Sequence, residues 1–155
     1  MPPKLFGAVV SIVDNIIVVG APSVGYKGSF HNFKILNSLQ LEERDIDEQR
    51  EKRAQISTLD QYSPKDGHID DGFGISCKIK KIDNLNYQLI VGAHRHFEQG
   101  VASGAAYIYT SINKGQSWKY SAKLVPAHKT HKSSFGCSVD IAGDYAIVGA
   151  FSDNT

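Results

Sequence analysis

The side chains that could hold an ion or move a proton fall in a few short stretches of this chain. "KDGHIDDGFG" places Asp66, Asp70 and Asp71 within six residues, a density at which carboxylates can gather a cation. The stretch is also polar and flanked by strand-like sequence, so it is read as a solvated connection without metal. Histidines come in loose pairs, His94 with His96 and His128 with His131. An HxH or HxxH pair supplies two zinc ligands, but a site needs three or four, and no neighbouring cysteine or acid completes either pair. Both pairs are expected to be solvated loop residues. Cys77 and Cys137 lie on apolar phases of strand-like segments and are read as buried free thiols rather than a disulfide framework. No Gly-x-Ser-x-Gly, P-loop or dinucleotide fingerprint occurs, and no basic and aromatic set forms a stacking groove. The expectation is therefore a chain with no catalytic, cofactor-binding or metal-binding residue, and not an enzyme.

Composition agrees with a globular chain of ordinary size. The 155 residues are 41% hydrophobic and 21% charged, with a formal net charge of +1, so no global field steers the chain toward nucleic acid or anionic lipid. The opening "MPPKLFGAVVSIVDNIIVVGAPS" has the look of a signal peptide until Asp14-Asn15 interrupts its apolar run, and the same pattern returns downstream. It is read as structure. No apolar run is long enough to span a bilayer as a helix.

The elements that position these residues come from a repeat. Phe6-Gly7, Phe73-Gly74 and Phe135-Gly136 are spaced by 67 and 62 positions, and each pair is followed by two strand-like segments ending in Gly20-Ala21, Gly92-Ala93 and Gly149-Ala150. In the first segment apolar residues keep step with the phenylalanine: Phe6, Ala8, Val10, Ile12; Phe73, Ile75, Cys77, Ile79; Phe135, Cys137, Val139, Ile141. That period of two predicts a strand with this phase packed. The second segments, "IIVVGA", "LIVGA" and "AIVGA", are apolar on both phases and are expected to be covered on both faces. A third segment opens on Gly28 and on Gly104. A fourth is clearest in "WKYSAKL", where Trp118, Tyr120, Ala122 and Leu124 alternate with Lys119, Ser121 and Lys123 as in a lysine-protected edge strand. "RAQISTL" takes that place in the first copy.

Four antiparallel strands per repeat describe a β-propeller blade, all-β, with about two and a half blades and a ring that is not closed. The rival is a short-stranded β-sandwich. The expected boundaries are residues 1–72 for the first blade, including a charged insertion at about 37–70, residues 73–134 for the second, and residues 135–155 for the first two strands of a third. Within the insertion, "LEERDIDEQREKR" (Leu41 to Arg53) has six acids and four bases around Leu41 and Ile46, and is read as exposed; a short docking helix is the alternative.

The Phe-Gly and Gly-Ala pairs resemble those of FG-GAP repeat proteins, which include the head of integrin α-subunits. Gly20-Ala21-Pro22 matches fully, while Gly92-Ala93-His94 and Gly149-Ala150-Phe151 lose the proline. "SINKGQSW", Ser111 to Trp118, is similar to the Asp-box of sialidase-type propellers, with Asn113 in place of the aspartate. That likeness implies a structural hairpin between the third and fourth strands. Integrin-type repeats often hold calcium in the turn between the first two strands. The turns here, Val13-Asp14-Asn15, Asp83 to Tyr87 and Ala142-Gly143-Asp144, lack the converging carboxylates, so plain turn chemistry is expected.

The expected function is a non-catalytic propeller segment acting as a protein-interaction or adhesion scaffold, with partner surfaces around Pro22 to Lys27, His94 to Ser103 and the charged insertion. The alternatives are the propeller portion of a sialidase-like or other hydrolase, and a carbohydrate-binding propeller using Trp118, Tyr107, Tyr109 and Tyr120. A sialidase requires an arginine cluster, whereas three of the four arginines, Arg44, Arg50 and Arg53, sit in the insertion, apart from Arg95. The other expected partners are further blades in a longer chain or a second copy. No cofactor, nucleic acid or membrane span is expected. The resemblance implies a cell-surface or secreted setting, but no export signal is read and the compartment stays open.

Overall fold

The computed structural model describes residues 5–23, 26–36, 55–129 and 131–151. The charged segment from Leu41 to Arg53, and with it most of the insertion, lies outside the described residues. The described residues are all-β and contain no helix long and apolar enough to cross a membrane.

The first blade is β1 (Val9–Val13), β2 (Ile16–Ala21), β3 (Ser29–Leu36) and β4 (Gln55–Tyr62), hydrogen-bonded in that order. The second is β5 (Phe73–Lys81), β6 (Tyr87–Ala93), β9 (Ala105–Ser111) and β10 (Lys119–Leu124), with a small hairpin, β7 (Phe97–Glu98) and β8 (Val101–Ala102), in the loop after β6. β11 (Ser138–Ala142) and β12 (Tyr145–Gly149) form a two-stranded ladder. All pairings between neighbouring strands are antiparallel. Two separate four-stranded sheets of this order are partial propeller blades, not a sandwich.

The repeated pairs turn out to join blades. Phe73 forms a parallel bridge with Gly28 of the first blade, and Phe135 does the same with Gly104 of the second. A Cβ on Gly20 would fall on the carbonyl oxygen of Gly74, and one on Gly92 would fall on that of Gly136. The glycine of each Gly-Ala pair is thus required because the next blade's Phe-Gly backbone lies against it. The phenylalanine fills the same seam. Phe73 is fully buried, with its ring centroid 6.1 Å from that of Phe30 and 5.3 Å from that of Tyr107.

The main core is accordingly a seam between blades, combining Ile16, Val18 and Phe30 with Phe73, Cys77, Ile79, Leu89 and Val91. A second seam joins Ile90 and Ala106 to Ile141. β6 serves both: alternate residues face opposite blades, which explains its apolar character on both phases.

This architecture corrects one expectation. In β1 the phase of Phe6, Ala8, Val10 and Ile12 is exposed, while Val9 and Val13 pack against the core. In β5 and β11 the phase of the phenylalanine faces the preceding blade. On β1 no described residues cover that face, so its apolar residues stay in contact with solvent. A second correction concerns β10. A register shift between Tyr120 and Ala122 breaks its alternation, leaving Tyr120 exposed and turning Lys123 partly inward.

Candidate functional site

Three loops meet on one face: the β2–β3 loop, the β4–β5 connection and the β6–β9 loop. Backbone bonds tie them, from Asp70 N–H to the Tyr26 carbonyl (3.0 Å) and from Arg95 N–H to the Asp71 carbonyl (3.0 Å). The "GHIDDG" segment forms a turn in which the Asp71 carboxylate accepts the His68 backbone N–H at 2.7 Å. Asp70 and Gly72 take left-handed φ of 67° and 68°, which aims Asp71 inward beneath the second blade.

Asp71 and His96 are almost fully buried and meet at 2.7 Å, Oδ2 to Nδ1. On the other side of the ring, His96 Nε2 lies 3.4 Å from Glu98 Oε2 and 3.5 Å from Lys123 Nζ. Lys123 donates to Asp66 at 2.8 Å and to Glu98. The Tyr107 hydroxyl donates to Asp66 at 3.2 Å and stands 3.3 Å from His96 Nδ1. Two carboxylates, of Asp66 and Glu98, pair with the Lys123 ammonium, and a third, of Asp71, pairs with the other side of the His96 ring.

The proton affinities follow from these contacts. The hydrogen bond from Lys123 holds the Glu98 carboxyl below its ordinary range. Partial burial opposes ionisation of Asp66, but the Lys123 hydrogen bond outweighs it and lowers that carboxyl too. Burial likewise opposes the Lys123 charge, and its two carboxylate partners overcome that and raise it. Burial is the main cause pushing the Tyr107 hydroxyl up, with Asp66 adding to it.

Beside this network lies a cleft of about 550 Å³ between β4 and β9–β10, lined by Tyr62, Asp66, Tyr107, Tyr109, Trp118 and Tyr120 among others. Tyr107, Tyr109 and Trp118 are buried and Tyr120 is exposed, so most of these rings pack between blades. The Asp-box-like hairpin anchors the cleft. Ser111 Oγ accepts the Gly115 N–H at 2.9 Å and Asn113 Oδ1 accepts the Ser117 N–H at 3.0 Å. Asn32 of the first blade donates to the Gly115 carbonyl at 2.7 Å, and Tyr62 Oη accepts the Trp118 N–H at 2.9 Å. The hairpin therefore fastens the blades together.

On the opposite face Asp14 accepts from the Tyr87 hydroxyl at 2.5 Å and pairs with Lys81 at 2.9 Å. That hydrogen bond lowers Asp14 and pushes the Tyr87 hydroxyl up to about 12. Asp83 closes its own turn, accepting from the Leu85 and Asn86 N–H groups at 2.8 Å each.

His128 and His131 are exposed loop residues, as expected. His96 and Asp71 are not: both were expected to be solvated and are buried, the β4–β5 turn being tied to the β6–β9 loop by the Arg95-to-Asp71 backbone bond and the two side chains pairing with each other. Sequence reasoning also missed His68, Glu98 and Lys123. The His-x-x-Asp spacing of His68 and Asp71 was a usable local signal; Lys123 comes from a strand read only as a protected edge. Cys77 and Cys137 are free, the former buried and the latter half-buried.

Residues 118–155 match the family model of the FG-GAP repeat. The matched segment runs from Trp118 through β10, β11 and β12, the step from one blade to the next. A search of curated proteins found no match.

Proposed function

We propose that this chain, whose residues 118–155 match the FG-GAP repeat, is a non-catalytic β-propeller-type segment whose loop face binds a protein partner. The observation that carries this reading is the set of exposed apolar side chains on three cross-tied loops. Tyr26, Ile69 and Phe97 are 47%, 66% and 46% exposed. They stand on the β2–β3 loop, the β4–β5 connection and the β6–β9 loop, which the Tyr26–Asp70 and Asp71–Arg95 backbone bonds hold together. Pre-ordered apolar anchors with a charged surround are what a protein interface uses. Tyr26 and Phe97 belong to two of the three stretches named from sequence, Pro22 to Lys27 and His94 to Ser103. Affinity capture by the intact chain, compared with a Tyr26→Ser, Ile69→Ser, Phe97→Ser variant that keeps its melting temperature, tests this. A capture profile unchanged by the triple substitution would overturn the placement.

A glycan is the second reading, favoured by Tyr62, Tyr120 and the Asp66 carboxylate at the cleft. Aromatic faces beside an acceptor suit a sugar ring. Glycan-array binding lost in Tyr120→Ala but kept in the loop-face variant would favour it over the protein reading. Adhesion, and association with further blades through the exposed faces of β1 and β12, remain parts of the same proposal.

A further inference from the structure

We propose that the loop face holds a site for one borderline divalent cation of the zinc class, with Nδ1 of His68, Oδ2 of Asp71 and Nδ1 of His96 as its protein ligands. The three residues offer donor atoms that all lie within 4.8 Å of one another. The Asp71–His96 edge is 2.7 Å and the His68–Asp71 edge 3.9 Å. Ligand atoms around a tetrahedral zinc, with bonds of about 2.0–2.2 Å, stand about 3.3–3.5 Å apart. The third edge, between the two histidines, is no longer than 4.8 Å, so closing the triad takes a spreading of the Asp71–His96 pair and an inward movement of His68. His68 is free to make that movement, because its side chain is 61% exposed.

The surroundings fit a metal-bound His96. Binding at Nδ1 requires the ring proton to sit on Nε2, where the Glu98 carboxylate stands 3.4 Å away and the Lys123 ammonium 3.5 Å. A carboxylate on the far ring nitrogen is the usual support of a ligating histidine. Glu98 is in turn fixed by Lys123, whose charge is taken up by Glu98 and Asp66. Asp71 is held by the His68 backbone N–H, so the turn that brings one ligand also orients another.

Two imidazoles and one carboxylate are a donor set for zinc or cobalt, not for calcium, which takes six to eight oxygens. Three protein ligands leave one position for water or a group from a partner. The cation would lie between the β4–β5 connection and the β6–β9 loop, on the loop face used by the proposed partner.

The test uses the full chain, stripped with EDTA and titrated with Co²⁺ for its visible absorption and with Zn²⁺ by calorimetry. One equivalent is expected to bind with a tetrahedral or five-coordinate cobalt spectrum. His68→Ala, at an exposed position that should not disturb folding, is expected to weaken binding at least 10-fold, while His131→Ala leaves it unchanged. Excess Ca²⁺ is expected not to displace Co²⁺. Equal binding by His68→Ala and the unsubstituted chain, no stoichiometric binding, loss of binding in His131→Ala, or displacement by Ca²⁺ would each overturn the assignment. None of these readouts depends on a protein partner, so the site and the proposed interface fail separately.

Discussion

Phe6 and Phe73 occupy the same repeat position, and replacing each with alanine separates the seam between blades from the blade itself. Phe73 is 0% exposed and packed against Phe30, Tyr107 and Tyr109. Its removal takes away a full transfer contribution and leaves a cavity between rigid sheets, a loss of about 3–5 kcal/mol. Phe6 is 56% exposed, and its ring contacts among the described residues are edge contacts with His31 and Phe33. Less than half of a contribution of about 1.5–3 kcal/mol is at stake there, so its removal costs about 1 kcal/mol. The difference is about 2–4 kcal/mol, which at a urea m-value of about 2 kcal/mol/M moves the midpoints apart by about 1–2 M. Urea unfolding followed by far-UV circular dichroism and by Trp118 fluorescence measures this, with equal m-values confirming a common unfolded state. Costs equal within about 0.5 kcal/mol would refute the reasoning, because the phenylalanine would then stabilise its own blade and not the seam.

Other expectations follow from the same contacts. Gly92→Ala drives a Cβ into the Gly136 carbonyl and is expected to cost at least about 1–3 kcal/mol, with amide exchange rising in β11 and β12 before β2; unchanged exchange would count against the close approach. Lys123→Met is expected to destabilise by about 1–2 kcal/mol, between an exposed and a buried pair. Because the folded Glu98 and Asp66 carboxyls are lowered, their contribution is full above the ordinary values of 4.5 and 3.8 and is lost as pH falls through the folded ones. Because Lys123 is raised, its part is full below 10.5 and disappears above it. Melting temperatures from pH 7 to 3 should fall less steeply in Lys123→Met than in the unsubstituted chain. Burial pushes the Cys77 thiol up to about 12, so thiol reagents at pH 8 should modify Cys77 only after unfolding, as read by peptide mass spectrometry.

The sequence by itself determined the blades. Local hydrogen bonding and the period of two act within a few residues, so the strand sequence, the doubly apolar β2 and β6 and the hairpin at Ser111–Trp118 were legible without a structure. Even the rule that these sheets must stack was legible, since a lone sheet apolar on both faces cannot bury itself. What only the tertiary structure decided was which surface each residue meets. Val10 and Cys77 share a repeat phase, yet one is exposed and the other buried, because burial depends on whether a neighbouring blade is present. Likewise Asp71 and His96, 25 residues apart, looked like solvated loop residues until the meeting of the β4–β5 connection and the β6–β9 loop brought them to 2.7 Å. Polarity in a sequence predicts the cost of burial; only the fold supplies the partner that offsets it.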